Sequence, residues 1–136
     1  MAIDPICVFL AEDHGLVRAG FRQLLESSDN IKVVGEAASA EEAFGLLKES
    51  LPQVLVLDDS LPGISGLDAL GRFLQLLPGL QVLMLSVHES HRLPELALER
   101  GARGYLSKRY AAEELVLAVH QVATGQHYVS SDIAPR

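Results

Sequence analysis

The chain has 136 residues, which predicts a single domain, and a hydrophobic content of 49% argues against a disordered protein. The net charge of −7 and the scattered basic residues argue against a DNA-binding surface, and no apolar run approaches the ~20 residues of a membrane helix. Cys7 is the only cysteine, so no internal disulfide can form, and the N-terminal residues lack the pattern of a secretion signal. We therefore expect a cytoplasmic protein with no membrane contact.

Five short apolar runs, each followed by a segment with helical spacing, predict alternating strands and helices. The runs lie at residues 6–11, 31–34, 54–57, 82–85 and 104–106. The helical segments lie at residues 16–27, 67–77, 94–100 and 112–124, with one more that begins after Ser39. Continuous apolar runs are typical of parallel strands covered on both faces, and their alternation with helices implies right-handed βαβ units. The predicted fold class is α/β, a doubly wound (βα)5 domain with a five-stranded parallel sheet.

Three of the helices carry specific local signals. The apolar face of the first helix consists of Leu16, Val17, Gly20, Phe21, Leu24 and Leu25, with charged residues on the opposite face. Ser39 followed by Glu42 is a capping box, which predicts the start of the second helix. Pro94 is tolerated in the first turn of a helix, so the fourth helix should begin late and be short.

Reactive polar residues follow four of the five predicted strands. Glu12 and Asp13 follow the first, Asp58 and Asp59 end the third, Ser86 ends the fourth, and Lys108 comes just after the fifth. The carboxyl ends of parallel strands share one edge of a sheet, where open α/β sheets bind ligands. Clustered carboxylates repel one another, and Mg²⁺, which prefers oxygen ligands, would relieve the repulsion. The simpler interpretation is that the acidic residues cap helices or turns and that Lys108 forms a structural salt bridge.

The spacing around these residues resembles one family. The run 58–66, with Pro62 four residues after Asp58 and then Gly63-Ile64-Ser65-Gly66, resembles the phosphoacceptor loop of receiver domains in two-component response regulators. Glu12-Asp13-His14, Ser86 and the run 101–108 are similar to the other sequence blocks of that family, in order and spacing. The resemblance covers essentially the whole chain, and it implies a flavodoxin-like sheet in strand order 2-1-3-4-5.

The resemblance implies a role for each matching residue. Asp58 would accept a phosphoryl group from a phosphohistidine on a sensor histidine kinase. The ligands of Mg²⁺ would be Asp13, Asp58 and the backbone carbonyl of Ser60, with Glu12 acting through a water. Lys108 would pair with Asp58 and then with the phosphoryl oxygens. Apart from its own phosphorylation and dephosphorylation, such a domain is not an enzyme.

Further residues would respond to the phosphoryl group or modulate its lifetime. Ser86 would donate its hydroxyl to the phosphoryl group, and Tyr105 would follow it inward as a switch that alters the surface of the fourth helix, fifth strand and fifth helix. His88 and Ser60 flank the mouth of the site, where the family tunes the lifetime of the phosphoaspartate. Asp59 stands where the family usually has an apolar residue. It either adds charge beside Asp58 or, as we expect, points to solvent.

The subfamily and the ends of the domain are also suggested by resemblance. His14 to Gly20, together with the tail 125–130, is similar to NarL/LuxR-type receivers, which usually precede a helix-turn-helix DNA-binding domain. We expect a receiver domain at residues 1–125 and, at 126–136, the start of a linker to an output domain that the chain lacks. DNA would be bound only through that domain, and phosphorylation would favour a homodimer. The alternatives are a stand-alone receiver or interaction module, or an Mg²⁺-dependent aspartyl-phosphate phosphatase.

Overall fold

The structure is a computed structural model, and it describes residues 4–87 and 92–130. In this part of the chain the strands are β1 (Ile6–Ala11), β2 (Ile31–Ala37), β3 (Val54–Asp58), β4 (Gln81–Ser86), β5 (Gly104–Ser107) and β6 (Tyr128–Val129). The α-helices are α1 (Gly15–Glu26), α2 (Ala40–Ser50), α3 (Gly66–Leu76), α4 (Arg92–Glu99) and α5 (Ala111–Ala123). A 3₁₀ helix, Lys108–Tyr110, connects β5 to α5. No helix of the described residues is both long enough and apolar enough to cross a membrane.

The strands form one parallel sheet in the order β2-β1-β3-β4-β5-β6. The predicted fold class and the order of the first five strands are therefore confirmed. The sixth strand, β6, differs from the prediction: its two residues pair with β5 at the edge of the sheet. A segment this short carries no recognisable periodicity, so backbone pairing that depends on the neighbouring strand could not be anticipated.

Helices cover both faces of the sheet, and the strands are buried between two apolar clusters. Along β3, Val54 and Val56 pack towards α1 and α5, whereas Leu55 and Leu57 pack towards α2, α3 and α4. This double coverage explains why the central strands are continuous apolar runs. It also leaves the carboxyl edge of the sheet as the place where polar groups can approach β1, β3, β4 and β5.

The local helix signals are confirmed in part. Ser39 Oγ accepts a 3.1 Å hydrogen bond from the Glu42 amide and caps α2, as predicted. Pro94 lies in the first turn of α4, which has eight residues and begins two residues before the proline. The apolar face of α1 is buried only in part, because Leu16 is 88% exposed and Val17 38% exposed. The first turn of α1 lies at the edge of the sheet, and the helix packs inward only further along, at Phe21 and Leu25.

Candidate functional site

The register of the sheet brings the polar strand ends together. Asp58 pairs with Leu85, one residue before Ser86, and Ser86 pairs with Ser107, one residue before Lys108. Ala11, which precedes Glu12, pairs with Leu57, which precedes Asp58. Glu12, Asp58 and Ser86 are each at most 1% exposed. The edge predicted from the sequence is therefore a real cluster of buried polar side chains.

Lys108 forms the positive centre of this cluster. Its Nζ donates to Asp58 Oδ2 at 3.0 Å and to Glu12 Oε1 at 2.6 Å. The contact with Glu12 is the shorter of the two, and unlike the contact with Asp58 it was not predicted from the sequence. Burial acts to lower the pKa of Lys108, but the hydrogen bonds that it donates to Glu12 and Asp58 outweigh burial and raise the pKa above its usual value. The ammonium is therefore firmly cationic at neutral pH.

Glu12 shares that single cation with a second carboxylate. Burial raises the pKa of Glu12, and the nearby charge of Asp58 adds to the effect. Hydrogen bonds from Lys108 and from the His14 amide, which lies 3.1 Å from Glu12 Oε2, oppose the shift without cancelling it. One ammonium thus serves two buried carboxylates, and the pair retains an excess of negative charge.

Asp13 lies beside Glu12 but has different contacts, and the predicted ligand Asp58 is not part of the group that Asp13 forms with Glu12 and His14. The Oδ1 atom of Asp13 is buried and has no hydrogen-bond partner among the described residues. The ring nitrogen His14 Nδ1 lies 3.3 Å from Asp13 Oδ1, and the side chain of His14 is 70% exposed. Burial would raise the pKa of Asp13, but hydrogen bonding with Glu12 and electrostatic interactions with His14 and Lys108 hold the pKa below its usual value. Asp13 is therefore an ionised carboxylate whose Oδ1 atom accepts no hydrogen bond from the described residues.

The donor set fits a hard divalent cation. Ligand atoms of Glu12, Asp13 and His14 all lie within 4.8 Å of one another. Carboxylate oxygens are the ligand atoms that Mg²⁺ prefers, and Asp13 Oδ1, which accepts no hydrogen bond from the described residues, offers one of them. His14 was not among the predicted ligands, and its nitrogen is a poorer match for Mg²⁺ than oxygen. Asp58 is held at both oxygens, because Lys108 binds Oδ2 and the Ser60 amide donates to Oδ1 at 3.0 Å.

Tyr105 and Asp59 meet beneath the site. Tyr105 is 1% exposed, and its hydroxyl donates to Asp59 Oδ2 at 3.5 Å. Burial raises the pKa of Tyr105 to about 12, although the hydroxyl also interacts with Ser86. Asp59 does not simply point to solvent as expected, since Ser60 Oγ donates to its other oxygen at 3.0 Å. His88, also predicted to modulate the site, lies outside the described residues.

Comparison with known proteins identifies the family. A family model described as response regulator receiver domain matches residues 8–120, which is most of the chain. The chain belongs to the response regulator receiver domain family. The predicted resemblance to receiver domains is thereby confirmed, and proteins of this family generally bind Mg²⁺ at an acidic pocket such as the one formed here by Glu12 and Asp13.

Relatives of this receiver domain include longer regulators. Response regulator UvrY of Escherichia coli (strain K12) is 43% identical over 129 residues, covering 95% of this chain and 59% of that protein. Transcriptional regulatory protein UhpA of the same organism is 49% identical over 129 residues, covering 95% of this chain and 64% of that protein. The receiver domain thus spans about three-fifths of the length of these curated relatives.

Solved structures agree with the fold of this receiver domain. A two-component response regulator of the LuxR family from Aurantimonas sp. SI85-9A1 superposes with a TM-score of 0.91 at 35% identity, covering 96% of this chain and 93% of that one. The signal receiver domain of the putative response regulator NarL from Mycobacterium tuberculosis superposes with a TM-score of 0.85 at 33% identity, covering 91% and 100%. These neighbours match the NarL/LuxR-type branch suggested by the sequence.

Proposed function

We propose that this receiver domain accepts a phosphoryl group on Asp58 from the phosphohistidine of a sensor histidine kinase. The observation that carries the proposal is the 3.0 Å contact between Lys108 Nζ and the buried Asp58 carboxylate, with Glu12, the neighbour of Asp13, on the same ammonium. In the transfer, a carboxylate oxygen of Asp58 forms a bond to phosphorus as the phosphorus–nitrogen bond breaks, and the electron pair stays with the imidazole. Phosphoryl transfer needs chiefly positioning and charge neutralisation, which this arrangement can supply.

Mg²⁺ is the proposed cofactor, held by Asp13, Asp58 and the backbone carbonyl of Ser60, with Glu12 acting through a water. The ion would supply positive charge that offsets the charge on the carboxylates and the phosphoryl oxygens. Lys108 already lies between Glu12 and Asp58, so it is placed to move its ammonium from Asp58 to a phosphoryl oxygen. Ser86, buried at the end of β4, is the proposed hydroxyl donor to the same group.

Tyr105 is the proposed switch residue, and His88 and Asp59 are the proposed modulators. The buried hydroxyl of Tyr105 lies beside Asp59 and interacts with Ser86, so a movement of Ser86 towards a phosphoryl group would change the surroundings of the ring. The surface expected to respond consists of α4, β5 and α5. A two-state change of this kind requires only that the phosphoryl group favour one arrangement over the other.

The proposed output is transcriptional control. We propose that residues 1–125 form the receiver, that 126–136 begin a linker to a helix-turn-helix domain, and that the protein acts in the cytoplasm as a phosphorylation-dependent homodimer. The printed name of UhpA, a transcriptional regulatory protein, supports this output. Ser130 N donates to the Tyr105 carbonyl at 3.0 Å, so the segment that leaves the domain is attached to the strand of the proposed switch.

Incubation with a small phosphodonor and Mg²⁺ tests the proposal. Intact-mass measurement should show the gain of one phosphoryl group, absent in Asp58→Asn and retained in the neighbouring control Asp59→Asn. The adduct should hydrolyse in base, as an acyl phosphate does. Steady turnover of an external substrate would instead indicate a phosphatase, and the absence of any adduct would indicate an interaction module.

A further inference from the structure

The turn that carries Glu12 and Asp13 is held through its backbone by an arginine of the following helix. Arg18 Nη1 donates to the Glu12 carbonyl at 2.6 Å. On the other side of the same residue, the Glu12 amide donates to the Ala37 carbonyl of β2 at 3.0 Å. Both polar backbone groups of Glu12 are thus fixed, which sets the direction in which the chain leaves β1 towards Asp13.

Arg18 is itself anchored on β2. Its Nε donates to Glu36 Oε1 at 3.1 Å, and both side chains are largely buried, with 24% and 28% exposure. A guanidinium can donate from two nitrogens in a fixed plane, so one side chain can connect Glu36 to the Glu12 carbonyl without losing its orientation. The side chain of Arg18 therefore connects Glu36 of β2 to the turn that carries Glu12 and Asp13, which we call the acidic turn. We call this connection the brace.

A bulge in β2 places Glu36 where the brace needs it. Val8 pairs with Val33, but Phe9 pairs with Gly35, so Val34 is an extra residue in the ladder. Successive strand residues alternate between faces, and one extra residue reverses the alternation beyond it. Val33 packs towards α1 and α5, whereas Ala37 packs towards α2, α3 and α4.

The reversal therefore turns Glu36 to the α1 side, the same side as Val33, although the two are three residues apart. Gly35, which follows the bulge, has no room for a side chain. A Cβ on Gly35 would lie 2.6 Å from the ring of Phe9. Bulges are frequent next to functional sites, where they redirect a side chain. Here the redirected side chain is the carboxylate that anchors Arg18.

A second arginine provides an internal comparison. Arg22, one turn further along α1, also donates to Glu36 and forms an i,i+4 pair with Glu26 at 3.1 Å. No hydrogen bond from Arg22 to the Glu12–His14 turn is present among the described contacts. The two arginines share an anchor and a charge, but only Arg18 reaches the acidic turn.

We propose that Arg18 is a positioning residue for metal binding, holding the Glu12–Asp13 turn so that the Asp13 carboxylate faces the Mg²⁺ site. The inference rests on the proposed function and deepens it. Glu12 and Asp13 carry like charges at adjacent positions, and without the brace their repulsion would favour turn conformations that separate them. Groups that orient metal ligands commonly alter affinity by about 10–100-fold when they are removed.

The test compares Arg18→Ala with Arg22→Ala in the whole chain. Mg²⁺ affinity is measured from the backbone amide shifts of residues 12–15 during titration with MgCl₂, and hydrogen exchange of the same amides is measured without metal. Arg18→Ala should weaken Mg²⁺ binding about tenfold and speed exchange in the turn. Arg22→Ala removes an equal charge from the same anchor, Glu36, and so controls for the loss of charge. It should leave both the affinity and the exchange unchanged, because the described contacts of Arg22 do not include the Glu12–His14 turn.

Arg18→Lys separates position from charge. A lysine keeps the charge but cannot span Glu36 and the Glu12 carbonyl with a planar fork, so affinity should recover only in part. Full recovery with lysine, or equal losses in Arg18→Ala and Arg22→Ala, would overturn the inference in favour of a charge effect. Unchanged affinity in Arg18→Ala at an unchanged melting temperature would overturn it outright. Failure of the wild-type protein to bind Mg²⁺ would contradict the proposed function instead.

Discussion

The two sides of the acidic cluster differ in how far the protein satisfies its own charges. On the side of Lys108, the ammonium contacts both Glu12 and Asp58, and each buried charge has a partner. On the side of Asp13, a buried carboxylate oxygen has no hydrogen-bond partner among the described residues. Buried polar atoms nearly always form hydrogen bonds, so a buried acceptor that lacks one, close to the Glu12 carboxylate, indicates a place for a ligand. The side of Lys108 is complete in the protein alone, and we call it the assembled side. The side of Asp13 is completed by a ligand, and we call it the open side.

The largest effect should follow from breaking the assembled side. Among the described residues, Lys108 is the only ammonium in contact with both Glu12 and Asp58. Lys108→Met removes that charge and leaves the two buried carboxylates with only backbone amides and the His14 ring as partners. Removing one partner of a buried ion pair costs about 3–5 kcal/mol, and we expect a loss of that size in the free energy of unfolding, measured by urea denaturation. Mg²⁺ should restore part of the loss, because it binds the folded state only.

A lysine on the surface provides the control for this variant. Lys48 lies exposed near the end of α2, so Lys48→Met removes the same charge without uncovering a buried partner. Its effect should stay within about 0.5 kcal/mol. Similar losses in the two variants would contradict the distinction between an assembled and an open side.

The open side should respond in the opposite way. Asp13→Asn removes a carboxylate that the fold leaves partly unused, so the free energy of unfolding should change by about 1 kcal/mol or less. Mg²⁺ affinity, measured by calorimetric titration, should fall by at least about tenfold. A large loss of stability with unchanged affinity would mean that Asp13 is structural.

Much of this arrangement could be predicted from the sequence, for a definite reason. Continuous apolar runs identify parallel strands, and parallel strands place their carboxyl ends on one edge, so the meeting of Asp58, Ser86 and Lys108 follows from the pattern. Periodicity shows which residues share a helix face but not whether another element covers it. Leu16 belongs to the apolar face of α1 by its spacing, yet it lies exposed at the edge of the sheet.

Other features depend on side-chain reach and register. The contact of Lys108 with Glu12 joins residues 96 positions apart, and no local pattern specifies it. The brace formed by Arg18 depends on a bulge at Val34 that turns Glu36 towards α1, and the sequence shows no more than a glycine nearby. The roles of Asp58, Ser86 and Tyr105 in phosphorylation stay predictions that the tests described here decide.

A smaller effect is expected from the ionisation of the buried Tyr105 side chain. Burial raises the pKa of Tyr105 to about 12, from an ordinary value of 10.0. The unfolded state therefore ionises first, so the stabilising contribution is complete below pH 10.0 and is lost as the pH rises towards about 12. Ultraviolet absorbance of the phenolate should show a step near that pH which is missing in Tyr105→Phe. Ionisation of Tyr105 near pH 10.0, the ordinary pKa of a tyrosine, would mean that the ring is accessible to solvent.

The most direct test of the central claim is a crystal structure with Mg²⁺ and beryllium trifluoride, which mimics a phosphoryl group on a carboxylate. The account predicts beryllium bonded to Asp58 and Mg²⁺ about 2.0–2.1 Å from oxygens of Asp13, Asp58 and the Ser60 carbonyl. Lys108 should then contact a fluoride in place of Asp58. Beryllium trifluoride absent from Asp58, or Mg²⁺ bound away from Asp13 with that oxygen still unpaired, would contradict it.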